Sequence, residues 1–218
     1  VATQSRPEVK PGGIRKWVLI AGAGIGGLLL LGIGGWYWWD AAQSAGRSAL
    51  IEASRLAQEA LSPQATAAQR SAAVQALGDA LARYPRHAAA PHAAYVLGNL
   101  HYQAKSFEAA RAAFQASLKA GAGRSLAQLC RVGIGYSWEG QGEYAAALAA
   151  YQELAAGLTP GDFLYEDALL ASARAHELLQ QRAQALEIYQ RLLRDLPGSR
   201  RAEEVRSRVA SLEGPARP

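Results

Sequence analysis

Residues 134–154 read IGYSWEGQGEYAAALAAYQEL, two helix-length runs of small and apolar residues hinged at a glycine. Within them Gly135, Trp138, Gly142, Tyr144, Ala147 and Tyr151 stand at fixed offsets, and the same skeleton recurs on either side. Upstream, LGNLHYQAKSFEAARAAFQASL (97–118) places Gly98, His101, Lys105, Phe107, Ala110 and Phe114 at those offsets. Downstream, SARAHELLQQRAQALEIYQRLL (172–193) places Ala173, His176, Gln180, Arg182, Ala185 and Tyr189 there. The spacing is 37 and then 38 residues. Self-similarity at such a period marks a repeat array, in which one helical hairpin cannot bury its apolar face until the next one covers it.

The skeleton resembles the tetratricopeptide repeat, with its Leu-Gly, aromatic, turn glycine, small alanine and second aromatic. The chemistry behind it is packing. Small residues at Gly98 or Gly135 on the first helix, and at Ala110, Ala147 or Ala185 on the second, let the pair approach closely. Phe114, Tyr151 or Tyr189 then fills the gap against the neighbouring pair. The usual period is about 34 residues, so the extra residues enlarge the loops at GAGR (121–124) and LTPGD (158–162). A more degenerate unit precedes these. Residues 41–61 continue as a helix from the apolar segment before them, and Thr66 with Gln69 forms a capping box for a helix ending near Tyr84 and Pro85. Ala73, Leu77, Ala80 and Leu81 take the second-helix positions of that unit. Ser106, Thr159 with Asp162, and Ser199 are expected N-caps. A last helix over 199–212 carries charge on one side and Val205, Val209 and Leu212 on the other, as a terminal cap requires.

Composition agrees. The chain is rich in Ala, Leu, Gln, Glu and Arg, strong helix formers, and poor in β-branched residues. No stretch alternates with period two for long enough to make a strand. The net charge of +5 is spread along the chain and mixed with acids rather than gathered into a stripe, so no nucleic-acid partner is expected. A single cysteine, Cys130, excludes a disulfide framework and reads as a small buried residue.

From Trp17 to Trp39 runs WVLIAGAGIGGLLLLGIGGWYWW, 23 residues without a charge. As a helix it covers roughly 35 Å, enough for a hydrocarbon core of about 30 Å. Trp17 marks one end, and Trp36, Tyr37, Trp38 and Trp39 mark the other. A cleaved signal peptide, with small residues at 42–45 near the cut, is the competing reading. The length of the run and its bulky WYWW end favour an anchor. Arg6, Lys10, Arg15 and Lys16 against Glu8 place the leader (1–16) in the cytoplasm and everything beyond the span outside it. Gly22 with Gly26, and Ala23 with Gly27, form small-xxx-small pairs. These suit helix–helix packing in lipid and a homo-oligomer, or else reflect the general frequency of glycine in such spans. The expected fold is therefore all-α. A single transmembrane helix (17–39) is followed by a tetratricopeptide-type α-solenoid of about four hairpins plus a capping helix (40–213), and by a disordered tail (214–218).

No catalytic or metal constellation stands out. His87, His92, His101 and His176 lack ligand spacing, and His101 and His176 occupy the aromatic position of the skeleton. GAGIGG lies inside the apolar span with no strand before it, so it is no dinucleotide loop. Neither enzymatic activity nor a cofactor is expected. A solenoid of this kind offers a groove lined by its first helices. On the repeat alignment the lining is His92, Tyr95, Asn99 and Tyr102, then Val132, Tyr136 and Glu139, then Asp167, Leu170 and Arg174. Such a lining suits an extended or helical segment of another protein. The alternative for the tyrosines is packing between repeats.

The layout as a whole, and GGWYWWDAAQSAGRSALIEASRLAQEAL (34–61) above all, resembles the ancillary SecYEG translocon subunit family. That resemblance implies a bacterial inner-membrane protein with its repeats in the periplasm, contacting the translocon, periplasmic chaperones or secreted chains, with lipid along 17–39. Segments 142–155 and 185–197 also resemble the repeats of cell-division and outer-membrane assembly lipoproteins. An adaptor in envelope assembly or cell division is the alternative.

Overall fold

The computed structural model describes the backbone of residues 12–214, and the side chains of 31–214 apart from 39, 40 and 42. The described residues form helices and turns, with no strand among them. In chain order the helices are α1 (Gly12–Ala60), α2 (Ala67–Arg83), α3 (Ala90–Gln103), α4 (Phe107–Lys119) and α5 (Arg124–Gly140). They continue with α6 (Tyr144–Ala156), α7 (Tyr165–Leu178), α8 (Arg182–Asp195) and α9 (Ala202–Glu213). The chain divides into two compact units, Val1–Ala45 and Gly46–Pro218. In the second unit the end of α1 joins α2, the pairs α3/α4, α5/α6 and α7/α8 follow, and α9 closes the array against α8. This is an all-α, tetratricopeptide-type solenoid.

In the first unit, no helix is long and apolar enough to cross a membrane among the described residues. Most of the expected span is described in its backbone alone, as are the packing positions Gly22, Ala23, Gly26 and Gly27, and leader residues 1–11 and tail residues 215–218 lie outside the described residues.

Each complete hairpin turns in the same way. Lys105 (φ 57°), Gly142 (φ 81°) and Gln180 (φ 60°) adopt the left-handed conformation at equivalent places. The next amide reaches back over the turn to close it: Ser106 N–H to His101 O at 2.9 Å, Glu143 to Trp138 at 3.0 Å, and Gln181 to His176 at 2.8 Å. Only the central copy uses the residue that this backbone favours. A side chain in this region is penalised by about 1–2 kcal/mol, set against a gain of up to about 1 kcal/mol from the stiffer unfolded chain. Lys105→Gly and Gln180→Gly are therefore each expected to raise the urea midpoint, by a few tenths to about 1 kcal/mol of stability. An unchanged or lower midpoint would contradict the turn argument.

Glycines on the first helices make room for aromatics on the second. Phe114 is 1% exposed, and its ring lies between α3 and α5. A Cβ on Gly98 or on Gly133 would stand 2.5 Å from that ring. Tyr151 meets Gly135 in the same way, at 2.2 Å, and Phe107 meets Gly140 at 2.5 Å. The third copy has Ala173 instead, fully buried in a cluster with Tyr189, Leu192 and Val205. The degenerate first unit is held by Leu50, Ala53 and Ala57 of α1, buried with Leu77 of α2 and Val96 and Leu100 of α3.

The Thr66–Gln69 capping box is present. The other expected caps differ. Ser106 sits at the N-cap of α4 but its side chain bonds nothing there, because its φ/ψ of −84°/66° belongs to the preceding turn. Thr159 and Asp162 close a tight turn, with Thr159 N–H and Oγ1–H both on Asp162 Oδ2 at 2.8 Å, and α7 begins only at Tyr165. Ser199 accepts from Arg201 N–H at 2.9 Å one turn before α9, which starts at Ala202 rather than 199.

Candidate binding groove

The first helices of successive hairpins present one face to a shared groove. Tyr102, Tyr136, Glu139 and Arg174 line a cavity of about 450 Å³ there. Leu170 and Arg174 line an adjoining one of about 670 Å³, together with Glu177, Leu178, Arg201 and Arg208. Five of the residues expected from sequence are thus brought together by α3, α5 and α7. The others are placed differently. His92 is exposed, with its ring 6.5 Å from that of Tyr95. Tyr95 leans on Phe114, ring to ring at 5.9 Å, and packs between repeats. Asn99 is half-buried. Val132 packs on the cluster shared by α6, α7 and α8 and lines neither cavity. Asp167 accepts a hydrogen bond from Arg201 Nη1 at 2.6 Å.

The centre of the groove is a relay across three helices. Tyr151, buried on α6, donates from its hydroxyl to Glu139 Oε2 on α5 at 2.8 Å. Arg174 on α7 approaches the same carboxylate from the groove side, with Nε to Oε1 at 2.9 Å and Nη2 to Oε2 at 2.8 Å. This is the two-pronged geometry in which a guanidinium matches a carboxylate best. One repeat on, Tyr189 donates to Glu177 at 2.5 Å, and Arg208 of α9 stands 3.8 Å from that carboxylate. In the first copy the aromatic is Phe114, which has no hydroxyl, and Tyr102 stands where the other copies have glutamate.

The electrostatics follow from these contacts. Burial, then the hydrogen bond to Glu139, raises the Tyr151 hydroxyl well above the ordinary tyrosine range. Burial, then the nearby Asp167 carboxylate, raises Tyr136. The bond to Glu139 strengthens the hold of Arg174 on its proton. Tyr136 and Tyr151 therefore stay neutral and Arg174 stays charged across the physiological range. Tyr136 meets Tyr151 edge-on at 5.8 Å, and Tyr102 meets Phe107 at 5.6 Å, so each groove ring rests on one that is more deeply placed.

Several residues that matter here were not among those expected from the sequence. Arg201, Glu204 and Arg208 belong to the groove because α9 continues the row of first helices, whereas the skeleton that fixes register stops before Pro197. Glu177 was visible in principle, since it stands at the offset of Glu139. Outside the groove, Arg111 is buried on α4 with its guanidinium 3.6 Å over the Trp138 ring, joining two hairpins. His101 and His176 behave as packing residues. His176 is buried with Nδ1 2.6 Å from Gln181 Oε1, and burial lowers the pKa of His101. Burial raises the Cys130 thiol. Among the described residues no cluster of His, Cys, Asp and Glu could hold a metal ion.

Among curated protein sequences none matches this one. Solved structures do. MamA (41-end) from Desulfovibrio magneticus RS-1 superposes with a TM-score of 0.55 at 16% identity, over 76% of this chain and 95% of that one. A MamA RS-1 ArsTM double mutant gives 0.53 at 15% identity, over 76% and 94%. A Podosopora anserina protein of nearly identical TPR-like repeats gives 0.51 at 14% identity, over 78% and 96%. Residues 167–199, covering most of α7, all of α8 and most of the loop to α9, match the tetratricopeptide repeat family, so the fold built above from glycine and aromatic offsets is that of tetratricopeptide-type repeats.

Proposed function

We propose that this protein is a membrane-anchored, non-enzymatic scaffold that holds segments of other polypeptides in its first-helix groove. It would act on the periplasmic side of a bacterial inner membrane, ancillary to the protein-export channel and to the handover of secreted chains. The observation carrying the binding role is the groove, where Tyr102, Tyr136 and Leu170 are offered to solvent from a floor locked by the repeats. Pre-set aromatic and aliphatic contacts lose little entropy when an extended segment lies down on them. The anchor is supported by the 23 uncharged residues of 17–39 and by the described end of that run. There Leu31, Ile33, Trp36, Tyr37 and Trp38 are all 62–75% exposed, a patch that lipid would cover. The basic leader supports the orientation, and the resemblance of the layout to the ancillary translocon subunits supports the partner.

A photo-crosslinking residue at Tyr136, compared in growing cells with one at the exposed Glu187 of α8, tests this. Adducts with secreted chains and channel subunits are expected from position 136 and not from 187, in a chain that stays with carbonate-washed membranes. Equal labelling from both positions would overturn the groove, and recovery in the soluble fraction would overturn the anchor.

A further inference from the structure

The arginines lining the α7–α9 part of the groove are answered from within the protein. Arg174 is held by Glu139, Arg201 by Asp167 and Arg208 by Glu177. Glu204, also exposed there, adds its field to that of Asp167 on Arg201. In every pair the carboxylate is the more sheltered partner: 20% against 46% exposed for Glu139 and Arg174, 35% against 48% for Asp167 and Arg201, and 24% against 56% for Glu177 and Arg208. Besides the exposed Glu204 carboxylate, what the groove leaves unanswered is aromatic and aliphatic. Tyr102 is 37% and Leu178 41% exposed, and the hydroxyls of Tyr102 and Tyr136 have no hydrogen-bond partner among the described residues.

A ligand that brings its own charge gains nothing at these pairs unless it breaks one. Breaking it leaves one member uncompensated in a partly dry cavity, and such groups are what natural sites use to reject wrong partners. We infer that the groove selects an extended, uncharged segment of another polypeptide, rich in apolar and aromatic side chains, and that its arginine–carboxylate pairs turn charged segments away. The inference rests on the groove's being the binding site, as proposed above. It adds the chemistry of the occupant: rings and branched chains against Tyr102, Tyr136 and Leu178, and backbone or hydroxyl groups for the two free phenols.

Three fluorescein-labelled nonapeptides test it, built of Ser-Leu-Phe, Lys-Leu-Phe or Glu-Leu-Phe triplets and titrated by anisotropy with the full chain in detergent. The Tyr102→Ala/Tyr136→Ala double variant measures partition into the micelle. The uncharged peptide is expected to bind about tenfold tighter than either charged one, and to change affinity by less than about twofold between roughly 0.05 and 0.5 M salt. Arg174→Gln, which releases Glu139, is expected to admit the lysine peptide about tenfold better. Glu177→Gln, which releases Arg208, should do the same for the acidic peptide. Tightest binding of a charged peptide by the unaltered protein, affinity falling steeply with salt, or no gain from either release would overturn the inference while leaving the groove in place. No binding of any peptide beyond the double variant's, or saturation of the groove by a second copy of the chain, would overturn the groove itself.

Discussion

Gly135→Val is expected to destabilise the protein by about 3 kcal/mol and to loosen the central hairpin. A Cβ at that position would stand 2.2 Å from Cε1 of Tyr151. The ring cannot withdraw, because its hydroxyl is held by Glu139 and its edge by Tyr136. Helix α5 would have to move off α6 instead, and the Glu139–Arg174 pair would follow it. Two opposing effects separate cleanly in the alanine series. Alanine improves helix propensity over glycine by about 1 kcal/mol, whereas overpacking a dry interface costs about 1–3 kcal/mol. A Cβ on Gly78 of α2 would meet nothing within 4 Å, so Gly78→Ala keeps only the gain. Urea unfolding followed by circular dichroism should therefore show Gly78→Ala shifted up, Gly135→Ala shifted down and Gly135→Val shifted furthest down. A neutral Gly135→Val would mean that the close approach of α5 and α6 is not what holds this hairpin.

The same steric demand explains why the fold was legible. A ring needs a missing Cβ opposite it, and that requirement recurs at Gly98 with Phe114 and at Gly135 with Tyr151, so the period shows through low overall similarity. Thr66 and Gln69 were readable because a capping box is entirely local. Long-range pairing was not. Glu139 and Arg174 both appear among the expected groove residues, but their contact spans 35 positions and depends on how far one hairpin rotates on the next. No local pattern encodes that rotation. Tyr95 shows the same limit from the other side: its position on α3 faces the groove by periodicity, but Gly133 lets Phe114 extend beneath it and draw the ring into the interface. The expected cap at Ser106 failed for a simpler reason, since closing the Lys105 turn fixes its backbone at φ/ψ −84°/66°, outside the extended conformation a capping side chain needs.

Phe114→Ala is expected to do more than weaken one hairpin. The ring is wedged between two glycines on different first helices, Gly98 of α3 and Gly133 of α5, and so forms part of the interface between hairpins as well as the core of its own. Removing it leaves a void that glycines cannot refill, and truncation of a buried phenylalanine costs about 3–5 kcal/mol. In a solenoid, stability is the sum of each unit and its contacts with neighbours, so a loss concentrated at one interface also divides the array. Hydrogen exchange should then show the amides of α2–α4 losing protection at lower urea than those of α5–α8, where the unaltered protein opens as one. The converse substitution provides the check. Gly133→Ala alone should destabilise, because its Cβ meets the ring, but in the Phe114→Ala background the same methyl enters empty space and should restore part of the loss. A change of sign between the two backgrounds is the signature of residues sharing one volume. Additive effects, or a single coincident transition in Phe114→Ala, would instead place the coupling between hairpins elsewhere, with the buried Arg111–Trp138 contact as the next interface to cut.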